Sequence, residues 1–280
     1  MKRVQARAQP LTARTADRRF LYELAVQSSE AEMDFVSSTF KRLRGRPAKR
    51  LREDFCGTAI SACEWVRRGE DHTAVALDLD AQTLRWGAQH NVAKLPADAQ
   101  RRISLLKRDV RAPGKGADRG FDAVLAMNFS YWCFRTPTEL RGYFESVRRS
   151  LASDGVFFLD IWGGYESMKE QVERRRVSAG RGRHFTYVWE QSRFDPITGD
   201  LRCHISFEFP DKTKMSRAFT YDWRLWTVPQ VRELLADAGF LRPTVYWEGD
   251  DGKGGGNGVF RPRQHGEADA SFIAYMSAEK

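Results

Sequence analysis

Short apolar segments alternate with amphipathic segments through the middle of the chain. Four segments are apolar and end in polar residues, as buried parallel strands do: 73–80, 103–110, 121–129 and 155–162. Apolar residues recur at helical spacing over 81–95 and 137–151, which predicts helices between the strands. The second helix opens with Thr136, Pro137 and Glu139, a capping box with proline in the first helical turn. This alternation predicts an α/β domain with a mostly parallel sheet and helices on both faces.

The pattern changes to two-residue alternation between residues 184 and 226. Three segments there, HFTYVWEQ, LRCHISFEF and KMSRAFTYDWRLW, are separated by the turn sequences DPITGD and PDKT. They predict an antiparallel meander inserted into the α/β domain. The helical pattern returns over 227–240, and 241–247 and 271–277 are expected to be closing strands.

These patterns divide the chain into three parts. Residues 1–48 are predicted to be a basic N-terminal arm with a helical cover. Residues 49–163 and 225–280 are predicted to form the core. Residues 164–224 are predicted to form the inserted antiparallel lid or substrate region.

The stretch LREDFCGTAI, residues 51–60, has the position of a nucleotide-binding loop but contains a single glycine, Gly57. A loop that cradles a pyrophosphate normally needs three glycines, and Glu53 and Asp54 would repel a pyrophosphate at close range. The same carboxylates suit a cation. S-adenosylmethionine carries a sulfonium, an ammonium and one carboxylate but no phosphate, so one tight turn and a helix N-terminus are enough to hold it. The loop therefore favours S-adenosylmethionine as the cofactor.

Polar residues also stand where each predicted parallel strand ends. In open α/β sheets, ligands bind at the carboxyl ends of the strands. We therefore expect one crevice to be lined by Gly57, Asp78, Asp109, Asn128 and Asp160.

The sequence E-D-F-C-G-T-A resembles the E-x-G-x-G-x-G motif of class I S-adenosylmethionine-dependent methyltransferases. Glu53 and Gly57 match the motif, while Phe55 and Ala59 replace glycines. The resemblance implies a Rossmann-like fold with a mostly parallel seven-stranded sheet and a small antiparallel β insertion. It extends from about Glu53 to Trp162, and in several small-molecule members of the family a similar insertion covers the substrate.

The resemblance also assigns roles at the strand ends. Asp78 would accept both ribose hydroxyls, leaving Asp80 to cap the following helix, and Asp109 would receive the adenine amino group. An N-terminal helix often covers the cofactor in this family, which makes Tyr22 a candidate. The full set of predicted cofactor contacts is Tyr22, Glu53, Phe55, Gly57, Thr58, Asp78, Leu79, Asp109, Val110, Asn128 and Phe129.

The acceptor is expected beside the segment Asn128-Phe129-Ser130-Tyr131-Trp132. N-x-x-Y resembles the N-P-P-Y motif of methyltransferases that act on exocyclic amino groups, although both prolines are missing. That resemblance implies that the Asn128 carbonyl accepts an amine hydrogen, with Tyr131 as its catalytic neighbour. The alternative for Phe129 and Trp132 is that they are core residues.

The aromatic side chains of the second half supply further candidates. Strand alternation places Tyr221 and Trp223 on one face of the meander, with Asp222 and Arg224 on the other. Aromatic rings stabilise a cation, and arginine binds a substrate carboxylate, although packing of the small sheet explains the rings equally well. His184 and His204 fall on the meander and are the candidates for a general base, of which His204 is taken as the catalytic one. The predicted substrate contacts are Tyr131, Trp132, Trp162, Tyr221, Trp223 and Arg224.

Composition narrows the class of protein. The four cysteines lack C-x-x-C spacing, so we expect no metal site and no disulfide scaffold, and reduced thiols favour the cytoplasm. No apolar run has the length of a membrane helix. The net charge is +9, and residues 1–52 hold 13 Lys and Arg against 5 Asp and Glu. A basic arm of this kind either contacts nucleic acid or is simply solvated.

The sequence therefore favours a methyltransferase that acts on nitrogen or oxygen of a small-molecule acceptor. Two alternatives stay open: a nucleic-acid amino-methyltransferase, indicated by the basic arm and N-x-x-Y, and a non-catalytic S-adenosylmethionine-binding protein. The oligomeric state and the identity of the acceptor are not determined by these patterns.

Overall fold

The structure is a computed structural model that describes residues 10–252 and 255–280. Its helices are α1 (Arg18–Val26), α2 (Ser29–Arg44), α3 (Ile60–Arg67), α4 (Ala81–His90), α5 (Ala97–Gln100), α6 (Pro137–Ser150) and α7 (Val228–Asp237). Its strands are β1 (Arg50–Asp54), β2 (Thr73–Asp78), β3 (Ile103–Lys107), β4 (Phe121–Ala126), β5 (Leu151–Gly163), β6 (Gln171–Ser178), β7 (His184–Phe194), β8 (Asp200–Glu208), β9 (Lys214–Arg224), β10 (Leu241–Asp250), β11 (Gly256–Arg263) and β12 (Phe272–Glu279).

The larger of two compact units, Ser28–Ser167 with Leu225–Lys280, is built on one mixed sheet. The strand order is β11-β10-β12-β5-β4-β1-β2-β3. The strands from β5 to β3 in this order are parallel, and β12, β10 and β11 extend the sheet in antiparallel fashion. The predicted Rossmann-like α/β fold is confirmed. The predicted strand number of seven is too low, because β11 adds an eighth strand at the edge.

The sheet of the larger unit is covered on both faces, as the continuous apolar strands predict. Phe157 and Phe158 follow one another in β5, and both are fully buried. The Phe158 ring packs 6.1 Å from Phe35 of α2, whereas the Phe157 ring lies 5.7 Å from Phe144 of α6. Successive strand residues point to opposite faces, so burial of both requires helices on each side.

The smaller unit consists of residues 10–27 and Met168–Arg224. Its four-stranded antiparallel sheet has the order β6-β7-β8-β9. We predicted three of these strands and missed β6, whose sequence QVERRRVS lacks an apolar alternation. Leu21 and Ala25 of α1 share an apolar core with Phe185 and Ile205 of this sheet. Residues 10–27 thus belong to the smaller unit and α2 to the larger one, so the segment predicted as 1–48 is divided.

Across residues 10–252 and 255–280, no helix is both long and apolar enough to cross a membrane.

Candidate active site

The loop after β1 has the backbone shape of a glycine-rich loop although it keeps only one glycine. Phe55, Gly57 and Ala59 all have left-handed backbone angles, with φ of 56°, 54° and 56°. This conformation costs a non-glycine residue about 1–3 kcal/mol. Packing holds the two substituted positions: the Phe55 ring lies 5.5 Å from Tyr143, and Ala59 is fully buried where α3 begins. The loop therefore reproduces the turn of the motif at the two positions where the sequence departs from it.

Asp78, at the end of β2, is hydrogen-bonded to this loop. One carboxylate oxygen accepts from the Gly57 backbone N–H at 2.8 Å, and the other accepts from the Asp80 N–H at 2.8 Å. Asp80 caps α4 by accepting from the Gln82 N–H at 2.8 Å, which confirms the predicted cap. Leu79, between the two acids, is 63% exposed. The backbone thus fixes the orientation of the Asp78 carboxylate beside an exposed apolar side chain.

Buried carboxylates surround the same end of the sheet. Glu53 accepts from the Ala62 N–H at 2.9 Å, and burial raises its pKa well above the usual value. Glu32 of α2 accepts from the Ser61 hydroxyl at 3.1 Å, and burial raises its pKa as well. We did not predict Glu32, because it lies on a helix remote from the loop in sequence and belongs to no motif.

Asp54, at the end of β1, is a further buried carboxylate. It accepts from Arg52 at 2.7 Å and from the Tyr143 hydroxyl at 2.9 Å.

Asp109 follows β3 and is half-buried. Arg111 pairs with it at 2.7 Å, and this hydrogen-bonded partner lowers the pKa of Asp109, which is therefore charged at neutral pH. Val110 beside it is buried, and its carbonyl accepts from the Ser146 hydroxyl at 3.2 Å. The sequence analysis predicted Asp109 from its position at the end of β3, but it did not predict Arg111 as its partner.

The segment after β4 turns sharply on Asp160 of β5. Asn128 and Phe129 have φ of 58° and 54°, and their backbone N–H groups donate to the two Asp160 carboxylate oxygens at 2.8 and 2.9 Å. Burial raises the pKa of Asp160 to about 7. Asn128 and Phe129 are half-buried, so both are accessible in part.

Tyr131 and Trp132, in contrast, are fully buried. The Tyr131 hydroxyl donates to the Asp160 backbone carbonyl at 2.9 Å, which makes Tyr131 a core side chain that supports Asp160. The Trp132 ring stacks at 6.0 Å on Trp162, whose indole N–H donates to the Ser271 hydroxyl at 3.0 Å. Phe129 lies 5.6 Å from Trp132, so the turn is bordered by an aromatic group.

The remaining predicted residues lie in the smaller unit. Tyr221 and Trp223 stack at 4.3 Å on one face of β9, as strand alternation predicts, and Asp222 on the other face pairs with Arg202 at 2.6 Å. His204 of β8 is buried, its Nδ1 lies 2.9 Å from the Thr220 hydroxyl, and burial lowers its pKa.

Two further residues predicted for the site, Tyr22 and Arg224, also lie in the smaller unit. The Tyr22 ring packs 4.9 Å from Phe219, and Arg224 is the last residue of β9.

The residues at the strand ends of the larger unit fit S-adenosylmethionine. Four carboxylates are buried at or near these ends, Glu32, Glu53, Asp54 and Asp160, whereas Arg52 is the buried cation paired with Asp54. Carboxyl groups of this kind can ionise beside a bound cation and would repel a phosphate, so the set favours a cation. Within residues 10–252 and 255–280, the buried Thr58 hydroxyl oxygen has no hydrogen-bond partner, which leaves a polar group in the loop for a ligand.

Comparisons with known proteins agree with this geometry. A family model described as a methyltransferase domain matches residues 54–159. No curated protein matches the sequence. Solved structures share the fold at low identity, among them an amino pentose methyltransferase from Micromonospora echinaspora, CalS10, which is 20% identical with a TM-score of 0.66. That match covers 92% of this chain and 94% of the other chain.

Two other solved structures are similar to the same extent. The sugar N-methyltransferase KedS8 from Streptoalloteichus sp ATCC 53650 is 18% identical over 99% of this chain and 96% of that chain, with a TM-score of 0.65. DesVI from Streptomyces venezuelae is 19% identical over 92% and 94%, with a TM-score of 0.66. Residues 54–159 therefore match a methyltransferase domain with acids at successive strand ends, and the chain as a whole shares the fold of these solved methyltransferases.

Proposed function

We propose that this methyltransferase transfers its methyl group to the amine nitrogen of a small-molecule acceptor, with an amino sugar as the first class to test. The observation that carries the proposal is the turn at Asn128, whose backbone is fixed by Asp160 beside the acid-lined loop. The amino pentose and sugar N-methyltransferases of the same fold support this acceptor class. A hydroxyl oxygen is the second acceptor atom to test.

The cofactor-side roles follow the strand order. Asp78 accepts the ribose hydroxyls, since its carboxylate is already oriented by two backbone N–H groups. Leu79 and Val110 flank the adenine, whose amino group donates to Asp109. The turn formed by Phe55, Gly57 and Thr58 with Glu53 beneath it holds the amino-acid portion of the cofactor. Tyr22 remains a proposed cover.

The acceptor-side roles follow from alignment and proton removal. When bound, the cofactor supplies a methyl group activated by its sulfonium. The chain then has to hold a nucleophile in line and exclude water. The Asn128 side-chain carbonyl accepts a hydrogen of the amine, and Phe129 and Trp162 form an aromatic wall.

The candidate acceptor contacts in the smaller unit remain predictions from the sequence. Either the face of β9 on which Tyr221 and Trp223 stack would contact the acceptor, or the opposite face, where Arg224 would bind an acidic group. His204 is neutral at physiological pH because burial lowers its pKa, so the imidazole is available to accept a proton. Tyr131 and Trp132 act from the core, behind the surface that contacts the acceptor.

The proposal is tested by binding and turnover on the full chain. Calorimetry compares S-adenosylmethionine with NAD and ATP. Turnover is then measured on matched sugars that carry an amine or a hydroxyl at the same carbon. We expect binding of S-adenosylmethionine alone and transfer to the amine. Binding of NAD or ATP without S-adenosylmethionine overturns the proposal, and S-adenosylmethionine binding with no turnover on a broad acceptor panel favours the non-catalytic alternative.

The charge distribution motivates a nucleic-acid acceptor as a second candidate. The net charge of +9 is concentrated in residues 1–52. This candidate requires RNA or DNA binding that weakens steeply with salt, by the release of counterions from phosphates. Activity on small amines without such binding excludes it.

A further inference from the structure

Two consecutive residues in the turn after β4 adopt a backbone conformation that neither prefers. Asn128 and Phe129 have φ of 58° and 54°, although only glycine, and to a lesser degree asparagine, enters this region readily. A strained pair of this kind persists only when surrounding groups impose it.

Asp160 is the group that imposes it. Its carboxylate is buried and accepts from the Asn128 N–H at 2.8 Å and from the Phe129 N–H at 2.9 Å, one bond to each oxygen. The Tyr131 hydroxyl donates to the backbone carbonyl of the same residue at 2.9 Å. Two backbone N–H groups and one hydroxyl group of the segment after β4 are thus hydrogen-bonded to Asp160.

Asp122, at the start of β4, provides an internal comparison. It also accepts from two consecutive backbone N–H groups, those of Lys49 at 2.7 Å and Arg50 at 2.9 Å, and it pairs with Arg46 at 2.8 Å. This carboxylate lies at the amino end of β4, away from the strand ends that carry the acids. Each aspartate thus accepts from two consecutive backbone N–H groups, Asp122 through one oxygen and Asp160 through both, and the two lie on neighbouring strands, β4 and β5.

We propose that Asp160 is a positioning residue, whose carboxylate holds Asn128 and Phe129 in the left-handed turn and thereby directs the Asn128 side chain toward the acceptor. This inference rests on the proposed acceptor role of Asn128. In this proposal Asp160 affects the reaction only by positioning Asn128 and does not itself contact the acceptor.

Both oxygens of the ionised Asp160 carboxylate are good acceptors, whereas protonation turns one oxygen into a donor and a weaker acceptor and so weakens one of the two backbone bonds. Titration of Asp160 therefore loosens the turn. The titratable groups that face it are Glu32 from α2 and Tyr275, its partner on β12, together with Tyr131. Burial raises the pKa of Asp160 to about 7, and the charge of Glu32 acts in the same direction. The turn is held above this pH and released below it.

The first arm of the test measures hydrogen exchange and needs no acceptor. Exchange of the Asn128 and Phe129 amides is followed at pH 6 and pH 8 in the wild type, after correction for intrinsic rates. We expect protection of these two amides to be lost at pH 6, while the Lys49 and Arg50 amides on Asp122 stay protected. Lack of protection of the Asn128 and Phe129 amides at pH 8 overturns the proposal, and equal protection at both pH values overturns its pH dependence.

The second arm compares Asp160→Asn with Asp122→Asn. We expect Asp160→Asn to lower kcat by about 10- to 100-fold, as small misplacements of a positioning group do. The dissociation constant of S-adenosylmethionine should change little, and the rise of kcat between pH 6 and pH 8 should disappear. Asp122→Asn should leave kcat and its pH profile unchanged. A wild-type pH profile in Asp160→Asn overturns the proposal.

The two arms separate the failure of this inference from the failure of the proposed function. If no acceptor is methylated, the exchange measurement still decides whether Asp160 holds the turn. If Asp160→Asn does not fold, the exchange measurement on the wild type decides the same question.

Discussion

Gly87 of α4 packs directly against the backbone of Thr58 in the loop after β1. A β-carbon at position 87 would clash with the Thr58 carbonyl oxygen and would lie 2.8 Å from its carbonyl carbon. The Asn91 side chain, one turn further along, donates to the same carbonyl at 3.1 Å. The shape of the loop therefore depends on the absence of a side chain at residue 87.

We predict that Gly87→Ala weakens cofactor binding. The added methyl group has to displace the Thr58 backbone, and overpacking of this kind costs about 1–3 kcal/mol. Because the displaced atoms belong to the proposed cofactor loop, the binding free energy of S-adenosylmethionine should also become less favourable, by at most this amount. Calorimetry measures it, and urea unfolding measures the loss of stability.

Gly142 of α6 supplies the matched control. A β-carbon there meets nothing within 4 Å, so Gly142→Ala makes the same chemical change in open space. Replacing a helical glycine by alanine should stabilise the fold by about 0.5–1 kcal/mol without changing cofactor affinity. If both variants bind the cofactor as the wild type does, the dependence of the loop on Gly87 is refuted.

A second pair of substitutions tests the left-handed turn. Ala59 and Ala62 are both fully buried, but Ala59 has φ of 56° whereas Ala62 lies within α3. We predict that Ala62→Gly destabilises the fold by about 1 kcal/mol. Ala59→Gly should be neutral or stabilising, because glycine relieves the left-handed strain. Equal destabilisation by the two changes, measured by urea unfolding, would contradict the turn.

The sequence pattern predicted this fold because β2, β4 and β5 are mostly apolar and amphipathic helical segments lie between the strands. Helix caps were predictable for the same local reason: Thr136 and Glu139 form the expected capping box, and Asp80 caps α4. The missed strands β6 and β11 carry no apolar alternation. Neighbouring strands pair with them through backbone hydrogen bonds, to which the side-chain pattern gives no clue.

The candidate site was predictable only where a residue type matched a motif position. Phe55 and Ala59 were identified as substitutions of glycine, but their left-handed angles depend on packing against residues remote in sequence. Glu32 carries no local signal, since its burial follows from the docking of α2 on the sheet. Tyr131 matched a motif that implies an accessible ring, whereas burial of its whole side chain is a property of the folded core.

We predict that Asp78→Ala weakens the binding of S-adenosylmethionine by about 1–3 kcal/mol of binding free energy. This is the cost of leaving buried hydroxyl groups unpaired. Asp80→Ala is the control. It removes the cap of α4 and should reduce stability by about 1 kcal/mol, with cofactor affinity retained. Calorimetry and urea unfolding give both quantities. Unchanged affinity in Asp78→Ala would remove the ribose assignment.

The side chain of Asn128 is expected to act on the acceptor. We predict that Asn128→Ala lowers kcat by about 10-fold or more, since it removes a hydrogen bond that orients the nucleophile, while the affinity for S-adenosylmethionine changes little. Steady-state kinetics and calorimetry separate the two effects. Losses of equal size in turnover and in cofactor affinity would assign Asn128 to the cofactor side instead.

Glu53 makes the stability of the fold depend on pH. Its pKa is well above the ordinary value of 4.5, chiefly because burial disfavours the charged form. The folded chain therefore holds a proton that the unfolded chain has released. The stability contribution of this group is fully present below pH 4.5 and is lost as the pH rises through the folded pKa.

Glu53→Gln should remove this dependence, because the amide is never charged and its carbonyl still accepts from the Ala62 N–H. We predict that the free energy of unfolding of Glu53→Gln matches the wild type near pH 4 and exceeds it at pH 8, as measured by urea unfolding. This difference in unfolding free energy at pH 8 comes from the buried charge of Glu53. S-adenosylmethionine is a cation and should therefore reduce the difference, because it stabilises the ionised wild type more than the variant. A wild-type slope that persists in Glu53→Gln would show that other buried carboxylates, such as Glu32, carry the effect.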